Sequence, residues 1–245
     1  MKILIFGASG MVGQGVLFEC LRDPEVELAV TVGRGAIGII KSSRGMGQPM
    51  PLAVTVGRGA IGIQSPKLRQ IVHHDLGDYG DLEEQLTGFD ACFFSLGVSS
   101  GGMKEAEYDR ITYGLTLAAA ETLSRLNPAM TFIYVSGAGT DSSDTGRIMW
   151  ARVKGRTENA LLCLPFHAYM FRPGLIQPLD GIQSKTPAYR ILYSLTKPLL
   201  PLLRRAFPNA VVTTREIGLA MLAVAKRGYQ KRILETKDLR SVIGD

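Results

Sequence analysis

Gly7, Gly10 and Gly13 are spaced three apart in the stretch GASGMVG, directly after the apolar run Lys2-Ile3-Leu4-Ile5-Phe6 and before a helical pattern. A strand that turns through glycines into a helix is a phosphate-binding device. Gly7 permits the tight turn, Gly10 lets the backbone approach a pyrophosphate, and Gly13 lets the helix lie close on the strand. Ser9, Met11 and Val12 share that turn, and the free N–H groups at the helix start face the phosphates, helped by the helix dipole. The ligand predicted is a dinucleotide; a plain strand–turn–helix corner is the less demanding alternative. Where a ribose hydroxyl is recognised, the second strand usually ends in a carboxylate. Here the segment LAVTVGRGAIGI occurs at 28–39 and again at 52–63, so the second strand ends in Arg34 or in Arg58. An arginine grips a 2′-phosphate bidentately and a carboxylate repels it, which favours NADP(H) over NAD(H). His73-His74-Asp75 has metal-ligating residue types, but adjacent strand residues point to opposite faces, and no metal site is expected.

The elements that must position these residues follow from short apolar runs alternating with helical patterns. Strands are expected at Ile3–Phe6, Leu28–Val32 or Leu52–Val56, Leu68–His73, Ala91–Leu96, Met130–Val135 and Ala168–Phe171. Helices are expected at Met11–Leu21, Leu82–Leu86, Glu105–Leu126 and Trp150–Leu162. This alternation predicts an α/β fold, a doubly wound parallel sheet whose strands are apolar on both faces. Beyond Pro173 the regularity fades among prolines, and 175–215 reads as a small C-terminal cap on one domain spanning 1–245. The two copies of the repeat cannot be neighbouring parallel strands, because parallel pairing needs a long crossover. One copy takes the second-strand slot and the other is an insertion. The first is favoured, since Pro51 precedes the second and lacks an N–H for the ladder.

Composition narrows the partners. Nearly half the chain is hydrophobic at 46%, which suits a folded soluble domain. Cys20, Cys92 and Cys163 show no metal-like spacing and suit a reducing cytoplasmic setting. No apolar run is long enough to span a membrane. The net charge of +6 is uneven: residues 181–245 carry 12 Lys and Arg against 4 Asp and Glu, a balance of +8. A solvated face is the simplest reading. Peripheral membrane contact remains an alternative for YRILYSLTKPLLPLLRRAFP, whose favoured role is to cover a substrate pocket. A small-molecule substrate is expected, with no nucleic acid; the oligomeric state is open.

The glycine spacing resembles the short-chain dehydrogenase/reductase superfamily, in its extended and atypical, epimerase/dehydratase-like branches. The resemblance covers nearly the whole chain. Asp75-Leu76 in HHDLGD match the acidic–apolar pair that flanks the adenine. Leu96-Gly97-Val98 in FFSLGVSS match the segment beside the cofactor, and FRPG matches the turn near the nicotinamide, with Pro173. FIYVSGAGT matches the strand that delivers a catalytic serine, here Ser136. The chain looks most like small NADPH-binding reductases of the Tat-interacting type. The resemblance implies a Rossmann-like sheet, an NAD(P) cofactor and oxidoreductase or epimerase-like chemistry.

In that family a tyrosine and a lysine stand at i and i+4 on one helix face, and the lysine holds the ribose and lowers the tyrosine's pKa. In MWARVKGRTE, Lys154 matches the lysine, but Trp150 stands at the tyrosine position. An indole N–H donates a hydrogen bond and shuttles no proton near neutral pH. Ser136 and Lys154 therefore carry over as catalytic candidates, with Lys154 also a cofactor contact. Three readings stay open: Tyr108, Tyr113 or Tyr169 stands in as the acid; Ser136 works with water; or the protein is a redox-inactive NADP(H)-binding sensor or interaction protein.

Overall fold

The computed structural model describes residues 1–34, 65–182 and 210–244. Their strands are β1 (Lys2–Phe6), β2 (Leu28–Gly33), β3 (Leu68–Val72), β4 (Ala91–Phe94), β5 (Thr131–Val135), β6 (His167–Arg172), β7 (Leu175–Gln177), β8 (Val211–Thr213) and β9 (Ile233–Glu235). Seven form one sheet in the order β3-β2-β1-β4-β5-β6-β9, with every ladder parallel. β7 and β8 make a separate short parallel pair. The helices are α1 (Met11–Arg22), α2 (Glu105–Asp109), α3 (Leu115–Leu126), α4 (Met149–Leu162), α5 (Thr214–Arg227) and α6 (Thr236–Gly244).

Strand alternation sends side chains to both faces of the sheet. Ile3 and Ile5 of β1 join a core under α1, α5 and α6, with Val16, Leu17, Ile217 and Leu239. Leu4 and Phe6 join the opposite core under α3 and α4, with Phe94, Phe132 and Leu123. Both faces are covered, which is why the inner strands are uniformly apolar. This is a Rossmann-like α/β fold. Its strand order reverses at β1, and ligands of such sheets bind outside the carboxyl ends of the strands at that point.

The expected strands are present with small changes of end. The first copy of the repeat, not the second, forms β2, pairing Leu28–Val32 with Lys2–Phe6. The second copy lies outside the described residues, as does most of the expected cap. The helix expected over Glu105–Leu126 is interrupted by a wide turn at Arg110–Gly114. The Thr116 hydroxyl donates to the Thr112 carbonyl at 2.5 Å, a back-bond of the kind that bends helices, and Gly114 adds no side chain to resist it. The expected helix at Leu82–Leu86 is a 3-10 segment, Gly80–Leu86.

The regularity missed by the sequence reading lies at 210–244. There α5 starts in a capping box: Thr213 Oγ1 accepts from the Glu216 N–H at 3.0 Å, while Glu216 accepts from the Thr213 N–H at 2.7 Å. β9 then adds a seventh strand beside β6. α5 lies against α1 at an approach that a Cβ would block. One built on Gly15 would lie 2.6 Å from Thr214 Cβ.

Candidate functional site

The turn after β1 is fixed by its own backbone. Gly7 takes a φ of +79°, which glycine adopts without strain, and its carbonyl accepts from the Gly10 N–H at 2.8 Å. A Cβ at Gly13 would lie 2.2 Å from the Gly7 carbonyl oxygen, so no side chain fits there. At Gly10 a Cβ would meet protein only at that oxygen, 3.2 Å away, and its other side is open. Gly10 caps α1 with no side-chain hydrogen bond, so the first N–H groups of α1 have no capping side chain. Ser9 lends its carbonyl to Gln14 Nε2 at 3.0 Å, which ties the turn to the helix.

A cavity of about 470 Å³ opens beside this turn. Met11 and Val12 line it, with Leu96, Gly97 and Val98 after β4, Ser136 after β5, Trp150 and Lys154 of α4, and Pro173 after β6. Residues far apart in the chain thus converge because four strands end on the same side. The Ser95 N–H and hydroxyl both donate to the Phe6 carbonyl, at 3.0 and 2.9 Å, which anchors the β4 exit to the β1 exit.

Ser136 is buried, and its hydroxyl donates to the Phe171 carbonyl at 3.1 Å. Lys154 Nζ donates to the Ser136 backbone carbonyl, so the two candidates meet through the serine's main chain. Burial pushes the Lys154 amine down to about 8, with the nearby Glu158 carboxylate acting in the opposite direction. Glu158 is fully buried and is spent on Arg172 of β6, whose Nε donates to it at 3.0 Å. Trp150 lies one turn before Lys154. Its indole ring comes within 3.6 Å of where a Cβ on Gly139 would sit.

Of the three tyrosines weighed as replacement acids, Tyr108 alone lines the cavity. The Tyr169 hydroxyl accepts from the Tyr229 N–H at 3.1 Å, and its ring belongs to the other core. The Tyr113 ring lies under the Arg156 guanidinium, 5.1 Å from its centroid, and is not among the lining residues. The sequence reading missed Tyr134, which alternation places on the strand face of Ser136, and Thr112, which the wide turn delivers. Burial drives the Tyr134 phenol far above the ordinary tyrosine range, so it gives up no proton near neutral pH. Thr112 Oγ1 has no hydrogen-bond partner among the described residues.

Several expected contacts lie away from the cavity. Arg34 is exposed just past β2. Asp75 and Leu76 follow β3; the Asp75 carboxylate accepts from the Gly77 N–H at 2.9 Å, and Leu76 is buried. Arg58 lies outside the described residues. His73 Nε2 lies 2.7 Å from the Asp78 carbonyl oxygen. No cluster of three metal-ligating side chains occurs among the described residues, and no described helix is long and apolar enough to cross a membrane.

No protein-family model matches the chain, and no curated protein matches its sequence. Solved structures do share its fold. The Bordetella bronchiseptica enzyme WbmF in complex with NAD+ superposes with a TM-score of 0.63 at 14% identity, over 99% of this chain and 77% of that one. A UDP-N-acetylglucosamine 4-epimerase from Methanobrevibacter ruminantium, in complex with UDP-N-acetylmuramic acid, gives 0.62 at 15% identity, over 93% and 74%. An oxidoreductase of the short-chain dehydrogenase/reductase family from Burkholderia thailandensis gives 0.60 at 13% identity, over 98% and 92%. The chain therefore has the Rossmann-like fold of epimerases and short-chain dehydrogenase/reductase enzymes.

Proposed function

We propose that the chain binds NADP(H) and acts as an atypical short-chain dehydrogenase/reductase on a small carbonyl or sugar-like substrate. One observation supports this above the others: a single cavity gathers the start of α1, Ser136 and Lys154. The residues present suit a dinucleotide. The open side of Gly10 is a cradle that a side chain would fill, and the start of α1 offers N–H groups without a capping side chain. The pyrophosphate is assigned to the turn of Gly7, Ser9, Gly10, Met11, Val12 and Gly13. The 2′-phosphate goes to Arg34, the adenine to Asp75 and Leu76, and the nicotinamide end to Leu96, Gly97, Val98 and Pro173. Lys154 holds the ribose and Ser136 the substrate oxygen. The bound cofactor supplies a hydride.

Calorimetry with NADPH tests this reading. Gly10→Val places a branched side chain where the pyrophosphate approaches, while the protein side meets only the Gly7 carbonyl. NADPH binding is expected to disappear with the thermal melting curve unchanged. Unaltered affinity in this variant removes the dinucleotide assignment. Trp150 favours a second reading, a redox-inactive NADP(H) sensor, because the indole at that position shuttles no proton. Tight NADPH binding with no turnover of any carbonyl compound in a broad screen would select it.

A further inference from the structure

We propose that Lys154 is itself the proton donor to the substrate oxygen, taking over the work of the phenol that Trp150 displaces. The inference rests on the cofactor reading above and concerns this chain's own acid. Four observations carry it. Lys154 lines the cavity, so its amine is within reach of a bound molecule. Trp150, one turn earlier on the same helix, supplies a ring and no exchangeable acid. Of the phenols nearby, Tyr169 is engaged with Tyr229, Tyr113 is stacked under Arg156 and Tyr134 holds its proton too firmly, which leaves Tyr108 as the rival phenol on the cavity wall among the described residues. No carboxylate pairs with the amine among the described residues, because Glu158, the acidic group facing it, is taken by Arg172.

The groups around the amine are few. The Ser136 carbonyl accepts one of its three N–H bonds, leaving two for a ribose hydroxyl and the substrate. Glu158 lies one turn further along α4, with Arg172 of β6 against it. Tyr134 of β5 and Tyr108 of α2 line the same cavity. Burial lowers the amine's proton affinity to about 8, close enough to neutrality for it to be protonated at rest and still release a proton. In the step assigned, a Lys154 N–H bond breaks and an O–H bond forms on the oxygen that was the carbonyl. The carbon receives the hydride that a reduced nicotinamide supplies, becoming an alcohol, and the neutral amine recovers its proton from water.

The donor form is the ammonium, present below about pH 8, so reduction should fall as pH rises through that value. The test begins without turnover. Acetylation of each lysine by acetic anhydride, followed by mass spectrometry across a pH series, reports where each amine loses its proton. Lys154 is expected to titrate near 8 in the parent protein, well below exposed lysines. NADPH affinity is measured on the same preparation by calorimetry. With 4-nitrobenzaldehyde as probe, the NADPH-dependent rate should show an alkaline limb at the Lys154 midpoint. Lys154→Met should lose that limb and about 10²–10⁴ in rate, and Lys154→Arg should move the limb to higher pH. Tyr108→Phe should leave the limb where it is. An ordinary lysine midpoint with NADPH still bound overturns the proton-donor assignment, as does an alkaline limb abolished by Tyr108→Phe. A parent that binds no NADPH overturns the cofactor reading instead, and calorimetry separates the two failures.

Discussion

A single side chain past β2 carries the proposed choice between NADP(H) and NAD(H). Arg34 is exposed and directly follows the glycine that ends the strand. An exposed guanidinium pays little for lost hydration when it meets a phosphate, and two parallel hydrogen bonds give it geometry as well as charge. Hydrogen bonds to charged groups contribute about 1.5–3 kcal/mol, so Arg34→Ala should weaken NADPH about tenfold to a hundredfold. NADH lacks the 2′-phosphate and should be unaffected. Arg58→Ala should change neither affinity, because the first copy of the repeat occupies the β2 slot. Titration of both cofactors against both variants checks the assignment, and equal losses for NADPH and NADH would defeat it. The identity of this arginine was legible in the sequence. The choice between the two copies turned on flanking residues such as Pro51, since twelve identical residues carry the same local preferences, and the pairing of Leu28–Val32 with β1 agrees with the first copy.

At the scale of elements, the site depends on how closely α4 lies on the loop after β5. A Cβ on Gly155 would fall 1.7 Å from the Asp141 carbonyl oxygen, so the helix reaches its position only because residue 155 has no side chain. The same helix also holds that loop by a hydrogen bond, the Asp141 N–H donating to the Ala151 carbonyl at 3.1 Å. Helix propensity alone favours Gly155→Ala by about 1 kcal/mol. The backbone collision outweighs this, because overpacking a rigid contact costs about 1–3 kcal/mol and a carbonyl cannot rotate away as a side-chain tip does. Thermal melting of Gly155→Ala is expected at a lower temperature, with NADPH affinity reduced as Lys154 moves off the Ser136 carbonyl. A melting temperature equal to or above the parent's would show that the loop gives way freely. The sequence revealed α4 through its periodicity, but nothing local marked Gly155, whose need arises from a contact fourteen residues away in the chain.

Across the whole molecule, the sheet was legible because its inner strands are short apolar runs, and part of the cavity lining, such as Leu96, Ser136 and Pro173, because those residues lie just past the strand ends. β9 and α5 were not read as elements. β9 has three residues and no alternation to detect, and the capping signal at Thr213 and Glu216 follows a proline-rich stretch that suggested irregularity. Yet β9 bears on the site. Arg172, at the end of β6, bonds Glu158 of α4, the Ser142 hydroxyl at 2.5 Å, and lies 3.6 Å from Glu235 of β9. The sheet edge, the site helix and the loop after β5 are therefore joined through one guanidinium. Removing either partner should move the Lys154 titration in opposite directions. Glu158→Gln removes the carboxylate that favours the ammonium, so the Lys154 midpoint should fall below about 8. Arg172→Met removes the cation that shares that carboxylate, so its full field reaches Lys154 and the midpoint should rise. Leaving Glu158 buried without its partner also costs about 3–5 kcal/mol, which should lower the melting temperature of Arg172→Met markedly. The acetylation series on the two variants reads both shifts at once. Movement of both midpoints in the same direction would mean that Lys154 responds to loosened packing and not to the charge carried from β6 and β9 through Glu158.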